Sequence, residues 1–174
     1  MKSVRRAASL LTIVALSGSL FCSYASTVEL SIHDKVAIRR AVAAIKSAIL
    51  SGRTDELLRA VSPMLGLTCA GTSYSYHTVA HFLSDRNSHL YMGLFDSAAL
   101  SRACSQDFPD VSEQEFLRSG ESTDDITKVG PGWVEVTVHS NPPTHPPRVW
   151  SLHREAGGWK LADGSLLVGS CSCG

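Results

Sequence analysis

The hydrophobic period of this chain changes once, near Gly120, and that change constrains the fold more than any motif does. Before it, apolar residues recur at helical intervals. Ile38, Val42, Ile45 and Ile49 are spaced by four, three and four residues and line one face of a helix, with Arg39, Arg40 and Lys46 on the other side. Asp34 suits the start of that helix and Gly52 its end. Thr54 suits the cap of a short second helix through Leu57, Leu58 and Val61, which Pro63 stops. MLGLTCAGTSY is predicted as a loop with a short strand in it. Ser75 or Tyr76 opens a third helix, Asp85-Arg86-Asn87 breaks it, and Ser88 caps a fourth that carries Leu90, Tyr91, Leu94 and Phe95. Ala98 to Cys104 continues helically. Ser112 to Glu115 fits a capping box in front of Phe116 and Leu117.

After Gly120 the period is two. In WVEVTVH, Val134, Val136 and Val138 alternate with Trp133, Glu135, Thr137 and His139, so one face of the strand is buried. NPPTHPP, residues 141–147, lacks too many N–H groups for a regular ladder and is a loop. RVWSLHRE and GWKLADG are two strands joined around Ala156-Gly157-Gly158, a hairpin signal. Leu166–Val168 suggests one more short strand. Helices first and a strand meander second is the pattern of an α+β domain, with N-terminal helices packed on one face of a curved antiparallel sheet.

The terminal hairpin VWSLHREAGGWKLADG, taken with the long first helix and the short helices after it, resembles the NTF2-like superfamily of cystatin-like α+β rolls. The resemblance covers about residues 33–168. It implies a cone-like roll with an internal pocket. It implies no reaction, because one fold carries many functions.

The first 25 residues read as a secretory signal peptide. Lys2, Arg5 and Arg6 precede an apolar run from Ala7 to Phe21, and Ser23-Tyr24-Ala25 has small residues where cleavage needs them. The run contains Ser9, Thr12, Ser17, Gly18 and Ser19 and is shorter than the roughly 20 apolar residues of a membrane span. Bulky Phe21 before Cys22 argues against lipid attachment there. The expectation is cleavage after Ala25, a single domain over 26–174, a periplasmic or secreted location and no stable membrane span afterwards. The whole chain balances 16 basic against 16 acidic residues; without the leader, thirteen basic residues face sixteen acidic ones. No basic stripe is left to bind nucleic acid.

Cleavage would leave Cys69, Cys104, Cys171 and Cys173. In an oxidising compartment an even count predicts two disulfides. Cys171 and Cys173 are too close to bridge comfortably. The preferred pairing joins Cys69 and Cys104 each to one tail cysteine, and the alternative joins Cys69 to Cys104. A long-range bridge of this kind contributes about 3–4 kcal/mol, mainly by restricting the unfolded chain.

Chemistry is less legible. His77 and His81 share a helix face about 6 Å apart, a spacing that suits zinc or copper. A metalloprotease helix would carry a glutamate beside the first histidine, and Thr78 stands there instead. The expectation is two ordinary helix histidines. His139 and His145 flank the proline-rich loop and are treated in the same way. If the interior holds a pocket, Tyr91, Glu135, His139, Trp150 and His153 are its candidate lining residues, and a histidine beside a carboxylate could move a proton. Phosphate-loop, dinucleotide and nucleophile-elbow motifs do not occur in the sequence. Trp133, Trp150 and Trp159 sit on candidate strands and are expected to pack in the core.

The function expected is therefore an exported binding or interaction module, with no cofactor, for an unknown protein or small apolar ligand. The rivals are a cofactor-free pocket enzyme using a His/carboxylate pair and a periplasmic metal-binding protein.

Overall fold

The structure, a computed structural model, describes residues 29–69, 72–103 and 111–164. The expected leader, Cys104, Cys171, Cys173 and the expected strand at Leu166–Val168 lie outside the described residues, as does the side chain of Cys69.

Helix α1 (Ile32–Leu50) begins where Ser31 Oγ accepts from Asp34 N at 3.0 Å. It ends with Gly52 N donating to Ile49 O at 3.1 Å and Arg53 N to Ala48 O at 2.9 Å, a closure that satisfies carbonyls a helix end leaves open. The stripe Ile38, Val42, Ile45 and Ile49 is buried, and Ala48 joins it. Helix α2 (Thr54–Ala60) follows. Then come two short strands, β1 (Leu67–Cys69) and β2 (Thr72–Tyr74), which pair antiparallel. The stretch expected to be a loop with one strand is thus two strands. Helix α3 (Tyr76–Ser84) is capped by Ser75 and helix α4 (His89–Phe95) by Ser88. Helices α5 (Ser97–Ala103) and α6 (Glu113–Arg118) complete the helical half.

Strands β3 (Glu121–Gly130), β4 (Trp133–Asn141), β5 (Arg148–Glu155) and β6 (Gly158–Gly164) run as an antiparallel meander. The described sheet has the order β2-β1-β6-β5-β4-β3. Strand β1 joins it parallel to β6, with Thr68 opposite Asp163. Two register shifts interrupt the ladders, between Ile126 and Lys128 and between Ser151 and Leu152. Bulges of this kind bend strands and raise their twist, which gives the curvature that the α+β reading expected.

The helices pack on one sheet face. Val134, Val136, Val138, Trp150, Leu152 and Leu161 meet Ile38, Val42, Ile45, Leu57, Val79, Leu94 and Phe116 in a single core. Burying each such side chain contributes about 1.5–3 kcal/mol. Lys46 of α1 ties this layer to β3, bonding Ser122 Oγ at 2.8 Å and pairing with Asp124. No helix among the described residues is long and apolar enough to cross a membrane.

Candidate functional site

The site is assembled from one helix and one strand. Ser112 caps α6 and is itself buried. Its Oγ accepts from Ser97 Oγ at 3.0 Å, and its N–H donates to the same Ser97 oxygen at 2.7 Å. Glu113 is the next residue. It lies three and four positions before Phe116 and Leu117, so helical period puts all three on one face. That face meets the sheet. Glu113 is therefore carried into the core and is only 3% exposed.

Strand β5 supplies the partners. Arg148, Trp150 and Leu152 alternate onto the core face. Trp150 Nε1 donates to Glu113 Oε1 at 3.3 Å. Arg148 Nε stands 3.4 Å from Glu113 Oε2. The Arg148 guanidinium also lies over the Phe116 ring, 5.0 Å from its centre, an attractive placement for a cation. On the far side of Phe116 is His145, from the proline-rich loop, with ring centres 6.3 Å apart.

Among the described residues two buried side-chain polar atoms lack a hydrogen-bond partner, Ser140 Oγ on β4 and, at this site, Arg148 Nε. The contact between Arg148 and Glu113 is thus electrostatic: the N–H is not aimed at the oxygen. Burial pushes the Glu113 carboxyl up to about 7, and the nearby Arg148 charge and the Trp150 indole oppose that rise without cancelling it. The result is a carboxyl group that gains and loses its proton near neutrality.

The residues singled out from the sequence do not form one site. Trp150 is fully buried in the core. Glu135, His139 and His153 lie on the opposite sheet face, because the valines of β4 and Leu152 of β5 take the inward positions. Out there Glu135 Oε2 pairs with Lys128 Nζ at 2.9 Å, and His139 Nε2 is 3.5 Å from Asp125 Oδ2. His153 is opposite Trp133 in the ladder. Tyr91 is half-buried on α4 against Phe95, with ring centres 5.0 Å apart. His77 and His81 are exposed on α3. Among the described residues no three His, Cys, Asp or Glu side chains are grouped to hold a metal ion.

Sequence reading missed Glu113 and Arg148. The signal existed: Glu113 shares the helical face of Phe116, and Arg148 shares the strand parity of Trp150. Glutamate in a first helical turn is ordinary on electrostatic grounds, and the capping box there draws attention to Glu115 rather than Glu113.

A space of about 10 Å³ is left among Leu57, Val61, Leu67, Leu83, Leu90, Leu94 and Leu161, scarcely the volume that admits one water. The surface is more open. A groove of about 430 Å³ runs between α1, α2 and β6, floored by Ala41, Ala44, Ala60 and Trp159 and edged by Arg59 and Lys160.

No protein-family model matches this chain, and no curated protein matches it. Solved structures are similar to it at low identity. One is a domain of unknown function with a cystatin-like fold from Nostoc punctiforme, 12% identical, covering 78% of this chain and 76% of that one, with a TM-score of 0.43. Another is an NTF2-like protein with a cystatin-like fold from Novosphingobium aromaticivorans, 13% identical over 76% of this chain and 79% of that one, TM-score 0.39. A third is a de novo designed protein with a curved β-sheet, 10% identical over 75% of this chain and 95% of that one, TM-score 0.40. NTF2-like and cystatin-like folds are the group that the terminal hairpin resembles, and the likeness is one of fold.

Proposed function

We propose that this chain is an exported binding module that holds another exported protein at its surface. The observation that carries the reading is the contrast between interior and exterior. Among the described residues, the space enclosed by Leu57, Val61, Leu67, Leu83, Leu90, Leu94 and Leu161 is apolar and holds about 10 Å³. The groove between α1, α2 and β6 is open, floored by alanines and Trp159 and flanked by Glu56, Arg59 and Lys160. Trp159 supplies aromatic contact area of the kind enriched at interface cores, and the mixed charges make a polar rim. The groove is where the partner binds.

Export is part of the proposal and rests on the leader-like start of the sequence. So are two bridges among Cys69, Cys104, Cys171 and Cys173, which peptide mapping without reductant tests.

Replacing Ala44 by Trp fills the groove while leaving the core alone, since Ala44 is exposed. Cross-linking in the intact cell envelope and culture medium is the test, with the wild-type chain and Ala44→Trp compared. The expected result is a discrete partner with the wild type and its loss with the variant, at unchanged melting temperature. The same cross-links with both chains would overturn the reading.

A second reading has one observation in its favour. A buried carboxyl poised near neutrality is suited to proton transfer, so a cofactor-free enzyme would use Glu113 as its acid or base. It requires turnover that Glu113→Gln abolishes and Ala44→Trp leaves intact.

A further inference from the structure

We propose that Glu113 and Arg148 form a proton-operated latch that closes helix α6 and the 141–147 loop onto the sheet in acid and releases them in alkali. The geometry confines the device to a small movable unit. Helix α6 has six residues, too few to be stable without its packing. Its outer anchors are polar: Gln114 Nε2 donates to Ile49 O at 2.8 Å, Arg118 Nη2 to Leu50 O at 3.2 Å, and Ser112 meets Ser97. Its inner face is anchored by the buried Phe116 and Leu117 and, beside them, by the Glu113 cluster, the one of these anchors that changes with pH. Arg148 is the first residue after the proline-rich loop, so whatever holds Arg148 also holds the loop's end. His145 of that loop sits against Phe116 of α6. The helix and the loop therefore open together.

Among the described residues, His145 of the loop faces Phe116, and the other charged groups around α6 are engaged elsewhere or face solvent. Lys46 of α1 pairs with Asp124 of β3. Arg118 reaches the end of α1 and Glu115 is exposed. His89 and Tyr91 sit on α4, the latter against Phe95. Arg148 is the cation in contact with Glu113, and Trp150 is its hydrogen-bond donor.

The direction follows from linkage. In the closed form Glu113 holds its proton up to about pH 7; in an open, hydrated form it reverts toward the ordinary value of 4.5. The closed form binds the proton more tightly, so acid favours closure. Above pH 7 the closed form must bury a carboxylate beside a cation whose Nε makes no hydrogen bond to it, so opening, which hydrates the carboxylate, becomes less costly. The opening constant rises on the order of 100-fold between pH 4.5 and pH 8. If the chain is exported as proposed, the latch responds to the pH outside the cytoplasm; the latch itself does not depend on that.

Amide hydrogen exchange on the full chain tests it. After correction for intrinsic base catalysis, protection of the Phe116 and Leu117 amides should fall on the order of 100-fold from pH 4.5 to pH 8 and stay below that of the β4 core amides at every pH, since the latter exchange only by global unfolding; Phe116 and Leu117 protection equal to that of β4 throughout would show no separate opening. Glu113→Gln should stay protected and pH-independent throughout. Protection that is flat with pH in the wild type, or a wild-type slope in Glu113→Gln, overturns the proposal. If the variant does not fold, the carbon-13 shift of the Glu113 carboxyl in the wild type decides the matter: a midpoint near neutrality supports the latch, and one near 4.5 ends it.

Discussion

Arg148 Nε stands 3.4 Å from Glu113 Oε2, and the pair sits in the core with Arg148 8% and Glu113 3% exposed. Burial of an ion pair costs more solvation than a poorly aimed contact returns. Here that imbalance takes a definite form: the acid keeps its proton to about pH 7 in spite of the cation beside it.

Glu113→Gln should stabilise the fold in alkali and remove a pH dependence. The folded carboxyl titrates at about 7 and the unfolded one near 4.5. A raised value means the folded state holds the extra proton, so this group's stability contribution is full below pH 4.5. It is lost as pH rises through 7. The loss amounts to about 3 kcal/mol. Glutamine imitates the neutral acid at every pH. Urea unfolding should find the variant more stable than the wild type by about 1–3 kcal/mol at pH 8 and within about 1 kcal/mol of it at pH 5.

Arg148→Met should be costly in alkali and tolerated in acid. Removing one partner of a buried pair strands the other, typically at about 3–5 kcal/mol. The stranded group here is a carboxylate at pH 8 but a neutral acid at pH 5, where it needs no counterion. Methionine keeps packing over Phe116. Unfolding at the two pH values, with Arg148→Met alone and combined with Glu113→Gln, measures this. The second change should recover most of the loss at pH 8.

Much of this architecture was legible in the sequence, and the exceptions have physical causes. The α1 stripe, the caps at Ser75, Ser88 and Ser112, and strands β4 to β6 follow from period and turn chemistry. Strand β3 was not assigned. Its sequence ESTDDITKVG sets Glu121, Asp124, Asp125 and Lys128 among its threonines, Ile126 and Val129 without regular alternation, and it is an edge strand held by pairing with β4 and by Lys46. One short strand is expected in MLGLTCAGTSY, but its parallel union with β6 joins residues far apart in the chain and leaves no local signal. The misplaced pocket had a simpler cause. Alternation shows that a strand has two faces, and the polar face of β4 was taken as pocket lining when its valine face was the inward one. Glu113 escaped notice because a buried charge is recognised by its partners, and Arg148 and Trp150 are more than thirty residues away.

Leu94→Ala should cost about 3–5 kcal/mol, near the upper part of the range for such changes. Leu94 is 1% exposed and borders the space of about 10 Å³ left inside the cone. With so little slack around it, the walls cannot collapse to fill the void. The new cavity is apolar and should bind benzene or xenon rather than water. Thermal unfolding gives the cost, and a rise in melting temperature with added benzene identifies the cavity. Binding by the wild type would mean that the interior is more open than described.

Gly66→Ala should be far more damaging than Gly132→Ala, although both glycines have a left-handed backbone. Their φ angles are 65° and 75°. An L-residue in that region costs about 1–2 kcal/mol, and both substitutions incur it. Space separates them. A Cβ on Gly132, in the β3–β4 turn, meets no atom within 4 Å, whereas a Cβ on Gly66 overlaps the Tyr74 carbonyl oxygen. That carbonyl belongs to β2, whose register with β1 sets Leu67 opposite Tyr74. It cannot retreat without breaking the small hairpin and the β1–β6 junction beyond it. Gly132→Ala should lose about 1–2 kcal/mol and keep its fold. Gly66→Ala should lose more than that and lower hydrogen-exchange protection in β1 first. Equal losses from the two variants would show that backbone conformation alone governs both turns.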